Sequence, residues 1–283
     1  RVHRKWTSKK CTSNPIIVMS ILNQIIADKA KEVALNKELK PVKLLESSIF
    51  FETDVVSMKR YLQREDRVGI IAEIKRSSPS TGVINNNLDI EQLSISYMQA
   101  GASGLSVLTD QKYFGGSNRD LMTARKFNYC PILRKDFVID PYQLVEAKSM
   151  GADYILLIAA CLTPEKCQEL AAFAKNLGLE VLLEVHDKAE INSHVNQHVD
   201  LVGVNNRNLH DFSTDIGTSI SLAKYIPNDF VKISESGISK ASQIIELMQY
   251  GFEGFLIGGY FMKHDQPGQA CKNLINDVQR LRG

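Results

Sequence analysis

The chain has 283 residues, 44% hydrophobic and 23% charged, with a formal net charge of +2. This balance suits a globular domain, gives no case for a nucleic-acid surface, and contains no apolar run near the roughly 18 residues of a membrane span, so neither partner is expected. Five cysteines (Cys11, Cys130, Cys161, Cys167, Cys271), odd in number and without a CxxC pair, read as reduced packing residues in a cytoplasmic protein.

Residues 1–18 form a basic leader: Arg1, Arg4, Lys5, Lys9 and Lys10 occur before Asn14 with no carboxylate. It reads either as a targeting remnant or as an upstream extension ahead of Met19; the second is favoured, and the segment is expected to be disordered or non-native. From Ser20, the spacing of Ile21, Leu22, Ile25, Ile26, Lys29 and Val33 predicts an amphipathic helix, and a second helix is expected over 55–64. Together, 19–66 make an N-terminal helical extension.

Beyond it the pattern alternates. Apolar, strand-like runs fall near 68–75, 104–109, 130–135, 153–159, 179–185, 199–205, 230–236 and 252–258. Helical patterns fall near 89–100, 117–127, 140–149, 163–177, 187–197, 216–226, 239–249 and 267–281. Asp140-Pro141, Thr163-Pro164 and Ser239 are entry signals, and Gly101, Gly151, Gly178 and Gly251 are left-handed stops. Eight such units without a dividing linker predict one (β/α)8 barrel over 67–283, in preference to an open doubly wound sheet.

Barrels of this kind react at the C-terminal ends of their strands. Those ends are polar here: Glu73 and Lys75 on the first, Lys135 on the third, Glu184 on the fifth, Asn205 and Arg207 on the sixth, Glu235 and Ser236 on the seventh. Glu73 and Lys75, taken alone, are more simply a solvated ion pair. Two lysines and two or three glutamates converging on one mouth are costly to desolvate unless paired, and such a set shifts proton affinities as acid–base catalysis requires. Ser236-Gly237 and Gly258-Gly259 follow the last two strands, where barrels bind phosphate through backbone N–H groups, and the Ser78 hydroxyl is placed to join them. His194 and His198, four apart, read as a solvated helix face rather than a zinc pair, and His186, close beyond Glu184, reads as structural. No nucleotide-binding or metal motif occurs, so no metal and no cofactor are expected.

The strand-end segments resemble the indole-3-glycerol-phosphate synthase family. The matching stretches are Ile-Ala-Glu73-Ile-Lys75-Arg-Ser-Ser78-Pro, Asp-Gln-Lys-Tyr-Phe114-Gly-Gly, Leu-Arg-Lys135-Asp-Phe137, Leu-Leu-Glu184-Val-His, Val-Asn205-Asn-Arg207-Asn-Leu209 and Ser-Glu235-Ser236-Gly237. The first helix, with Lys29, resembles that family's extra helix.

The resemblance implies decarboxylating ring closure of 1-(2-carboxyphenylamino)-1-deoxyribulose 5-phosphate in tryptophan biosynthesis. It implies Lys135 as general acid, Glu184 and Lys75 in decarboxylation and dehydration, and Glu73 as their positioner. Asn205 and Ser236 would bond the reacting centre, and Glu235 and Arg207 would belong to the binding shell. Phe114, Phe137, Leu156 and Leu209 would sandwich the anthranilate ring, and Ser78, Gly237, Gly258 and Gly259 would bind phosphate. A monomer is expected, with room for association with other enzymes of the pathway. Tyr260 departs from the family pattern after the first strand-eight glycine. The competing readings are another phosphate-binding barrel, such as phosphoribosylanthranilate isomerase or the tryptophan synthase α subunit, and a non-catalytic barrel subunit.

Overall fold

The computed structural model describes residues 15–79, 82–83, 88–208 and 211–283; most of the basic leader and Leu209 lie outside them. Eight parallel strands close into a barrel: β1 (Ile70–Ile74), β2 (Gly104–Leu108), β3 (Ile132–Lys135), β4 (Tyr154–Ile158), β5 (Glu180–Val185), β6 (Leu201–Asn205), β7 (Val231–Glu235) and β8 (Phe252–Ile257). Each pairs with its sequence neighbours, and β1 closes on β8 through Ile70↔Phe255 to Ala72↔Ile257. Gly101, Gly151, Gly178 and Gly251 all have positive φ, so each left-handed glycine turns a helix directly into the next strand.

Side-chain parity divides the core. Ile71, Leu133, Leu156, Leu182, Ile233 and Leu256 fill the barrel interior, while Ile70, Ala72, Ile132, Ile155, Val181 and Val202 face the surrounding helices. Two residues beyond an inward apolar position, the next inward position reaches the mouth. Ile71 thereby leads to Glu73, Leu133 to Lys135, Leu182 to Glu184 and Ile233 to Glu235.

The floor of the barrel is the short helix α3 (Met58–Leu62), whose Met58 and Leu62 join the interior cluster. It begins at Met58, later than the helical pattern over 55–64 suggests. Ser57 caps it, and the Glu180 carboxylate accepts the Met58 and Lys59 backbone N–H groups at 2.7 and 3.1 Å. The sequence pattern missed several short elements, among them the helix α2 (Val42–Glu46), the helix Gln111–Phe114 and a hairpin pairing Ser77–Ser78 with Gly82–Val83.

Helix α1 (Pro15–Leu39) begins before Ser20. It is held on the barrel by one buried cation. Lys29 is 1% exposed, and its Nζ lies 2.9 Å from Asp110 just after β2, from Asp136 just after β3, and from Glu32 on its own helix. Asp136 also accepts the Thr109 hydroxyl at 2.6 Å and faces Arg134, which pairs with Glu146 at 2.6 Å. Burial disfavours the Lys29 charge, and Asp136 and Asp110 more than offset this, raising its proton affinity above the usual lysine value. Removing one member of such a cluster strands the others. Lys29→Met is expected to lower stability by about 3–5 kcal/mol in urea unfolding; a loss under about 1 kcal/mol would contradict a tethering role.

Candidate active site

The mouth of the barrel opens into a cavity of about 460 Å3. It is lined by Glu73, Lys75, Lys135, Glu184, Asn205, Glu235 and Ser236, and by Ser78, Phe114, Phe137, Leu156, Arg207, Gly237, Gly258 and Gly259. Every site residue expected from the sequence is therefore brought together, apart from Leu209, which lies outside the described residues.

At its centre Lys135 Nζ stands 2.9 Å from Glu184 Oε2 and 3.3 Å from Glu235 Oε2. Lys75 Nζ stands 2.7 Å from Glu73 Oε1, with only 17% of the lysine side chain exposed. The pair at the end of β1 is thus inward and largely desolvated, not a solvated surface contact. Asn205 Nδ2 donates to Glu184 Oε1 at 3.0 Å, so both oxygens of that carboxylate are bound. Two glycines make this crowding feasible. A Cβ on Gly203 would lie 2.2 Å from Glu235 Oε1, and one on Gly258 would lie 2.3 Å from Glu73 Oε1. Gly258 therefore makes room for a carboxylate as well as lining the cavity.

The environments separate the two carboxylates beside Lys135. Burial raises the proton affinity of Glu184, but Lys135, His186 and the Asn205 amide outweigh it and hold this carboxyl well below the usual range. Burial also raises Glu235. Lys135 opposes that only partly, and the charges of Glu184 and Glu73 add to it, so the carboxyl is pushed up to about 7. Glu235 Oε1 has no hydrogen-bond partner among the described residues, which removes a further stabiliser of its charge. Lys135 itself is held firmly as the ammonium: burial disfavours its charge, and Glu184, Glu235 and Glu73 overcome that.

Around this charged centre the walls differ. Phe114 and Phe137 form an aromatic side with ring centroids 6.0 Å apart. Opposite lie the turns after β7 and β8, where Ser236 (φ 69) and Gly237 (φ 75) are consecutive left-handed residues. A left-handed serine is strained, and such strain is characteristic of functional turns. Tyr260 lines the cavity and packs edge-on against His264 at 4.8 Å.

Three features escaped the sequence reading. Ile21, Leu22 and Ile25 of α1 line the cavity, so the extension helix contributes to the site itself. Its apolar stripe was visible, but not where that stripe would dock. His186 also lines the cavity, with Nε2 3.5 Å from Glu184 Oε1. Two residues beyond Glu184 it shares that residue's side of the strand, so alternation itself points it inward, and the reading of His186 as structural misapplied the parity. His194 is buried, bonded to the Leu162 carbonyl at 3.0 Å, rather than on a solvated face. The helix Lys188–His194 ends before His198, so the two histidines share no helical face.

The indole-3-glycerol phosphate synthase family model matches residues 22–274. A relative of that name from Bacteroides thetaiotaomicron is 50% identical over 259 residues, covering 92% of this chain and 99% of its own. One from Burkholderia vietnamiensis is 42% identical over 257 residues, covering 90% and 98%. Among solved structures, 3-hexulose-6-phosphate synthase from Salmonella typhimurium superposes with a TM-score of 0.61 at 13% identity, covering 75% of this chain and 99% of that one. A mutant tryptophan synthase alpha-subunit from Pyrococcus furiosus gives 0.57 at 12%, covering 76% and 98%. Those two likenesses concern the barrel alone. The family match and the relatives carry the further conclusion that this chain belongs to the indole-3-glycerol phosphate synthase family.

Proposed function

We propose that the groups at this barrel mouth carry out the reaction of the family, the decarboxylating closure of 1-(2-carboxyphenylamino)-1-deoxyribulose 5-phosphate to indole-3-glycerol phosphate in tryptophan biosynthesis. The observation that carries the assignment of roles is Lys135, clamped between Glu184 and Glu235 in a cavity with an aromatic wall on one side and glycine turns on the other.

The anthranilate ring lies against Phe114, Phe137 and Leu156, and the phosphate takes the turns of Ser78, Gly237, Gly258 and Gly259. This orientation brings the ketone to the lysines. The ring carbon bearing the carboxylate attacks the carbonyl carbon, and negative charge grows on the oxygen. An ammonium in a low-dielectric site stabilises that charge strongly, and an alkoxide is basic enough to take the proton of Lys135. Carbon dioxide then departs and its bonding electrons restore the aromatic ring. Dehydration needs an acid at the hydroxyl and a base at the adjacent methylene. Glu184 and Lys75 serve these steps, with Glu73 fixing Lys75. Asn205 and Ser236 bond the reacting centre, and Arg207 and Glu235 hold the substrate hydroxyls. Each bond change is a proton transfer or a polar carbon–carbon step within reach of lysines and carboxylates. The chemistry therefore calls for no metal or cofactor, and we propose further that the protein acts as a cytoplasmic monomer.

Purified protein is expected to convert this substrate to a fluorescent indole product, with the rate unchanged by EDTA. Lys135→Ala should lose about 10^2–10^4 in kcat with an unaltered circular dichroism spectrum; full turnover by that variant would remove Lys135 from the mechanism. Glu235 supplies a pH test. Its folded value lies above its ordinary 4.5, so the native state binds the extra proton, and stability falls as pH rises from there toward about 7. In Glu235→Gln this contribution disappears, so thermal midpoints at pH 5 and pH 7 should lie closer together than in the unaltered protein. An equal separation would show that Glu235 ionises normally.

A further inference from the structure

The reaction takes up one proton per turnover. The carbonyl oxygen gains one proton on ring closure and a second on leaving as water, and the methylene returns one as the indole double bond forms. The substrate carboxylate, departing as neutral carbon dioxide, accounts for the net charge lost. That proton comes from solvent, yet the groups at the centre are sealed: Glu184 is 5% and Glu235 2% exposed.

Behind Glu184 a further set of groups leads outward. His186 Nε2 faces Glu184 Oε1 at 3.5 Å and is buried without a hydrogen-bond partner among the described residues. On the other side of the ring, Nδ1 lies 3.2 Å from Glu190 Oε2, and the same oxygen accepts the His186 backbone N–H at 2.6 Å. Glu190 is fixed in turn near the start of its helix, where its N–H donates to the capping Asp187 at 2.8 Å. Side-chain exposure rises outward, from 6% at Glu184 to 13% at His186 and 18% at Glu190. An imidazole whose Nδ1–H is held by a carboxylate has its tautomer and ring plane fixed, leaving Nε2 to exchange a proton.

We propose that His186, oriented by Glu190, resupplies Glu184 with the proton that each turnover consumes. The imidazolium Nε2–H bond breaks as a proton passes to a Glu184 carboxylate oxygen, and that carboxylate, ionised at rest, gives the proton up in the same step to the departing hydroxyl. The neutral imidazole regains a proton at Nε2 from water that enters the cavity lined by His186 as the products leave, and the Glu190 carboxylate stabilises the restored cation. The charged groups that face the ring are Glu184 on β5, Glu190 on the following helix and, farther off, Glu235 on β7. Burial lowers the proton affinity of the imidazole, but these carboxylates outweigh it and raise it above the usual histidine value. Cys161, the thiol near the same carboxylates, is pushed up to about 12, mainly by burial, and stays neutral.

The inference rests on Glu184 as a proton-exchanging group, so the experiment compares His186→Asn and Glu190→Gln with Glu184→Gln. In His186→Asn, kcat should fall about 10- to 100-fold with KM within about threefold, and added imidazole should restore part of the loss. The alkaline limb of the kcat profile, which follows loss of the imidazolium proton, should vanish in that variant and move to lower pH in Glu190→Gln. A His186→Asn enzyme within about twofold of normal kcat, with an unchanged profile, would overturn the relay. So would a loss that imidazole does not restore and that leaves the profile in place, since that is a packing defect. If Glu184→Gln itself turns over normally, the reading of Glu184 fails, not the relay alone.

Discussion

The desolvated ammonium of Lys135 is the constraint on which the rest of the site depends. A buried cation of this kind persists only where carboxylates meet it, and here Glu184 and Glu235 come from two other strands to do so. The consequence is asymmetric. Glu184, bound on both oxygens by Lys135 and Asn205, stays ionised, whereas Glu235 shares the cation weakly and holds one oxygen against Gly203 without a partner. Two carboxylates beside one lysine thereby acquire different proton affinities, set by their surroundings alone.

The scaffold supports this arrangement at residues next to it in sequence. Arg134 on β3 and Asp136 just after it flank Lys135 and turn outward into a buried network with Thr109, Glu146 and Lys29. Because alternate residues of a strand point to opposite sides, the chain that fixes Arg134 and Asp136 outside also fixes Lys135 inside. The same Lys29 holds α1 so that Ile21, Leu22 and Ile25 cover the cavity. One buried cation on the extension thus links the apolar covering of the site to the strand carrying its central lysine.

Much of this was legible in the sequence because a closed parallel barrel has a simple grammar. Two-residue parity from Ile71, Leu133, Leu182 and Ile233 locates Glu73, Lys135, Glu184 and Glu235 at the mouth without any contact information. The glycines at 101, 151, 178 and 251 mark the helix-to-strand turns, and all four are left-handed. His186, two residues beyond Glu184, was in fact legible by the same parity and was misassigned to the opposite side. What was not legible depends on where the chain goes after regular structure ends. His194 is drawn inward by the Leu162 carbonyl, which belongs to a distant loop. The docking of α1 rests on Lys29 meeting Asp110 and Asp136, residues far apart in the chain.

The central claim, that Lys135 keeps Glu184 ionised while Glu235 titrates near neutrality, is open to direct observation. Carbon-13 NMR of the glutamate side-chain carboxyls, assigned with Glu184→Gln and Glu235→Gln, follows each group through pH. The account predicts a Glu184 signal fixed at its ionised position from about pH 4 to 8 and a Glu235 signal that moves with a midpoint at about 7. Two carboxyls titrating together in the ordinary range, or Glu184 rather than Glu235 holding the proton at neutral pH, would contradict it.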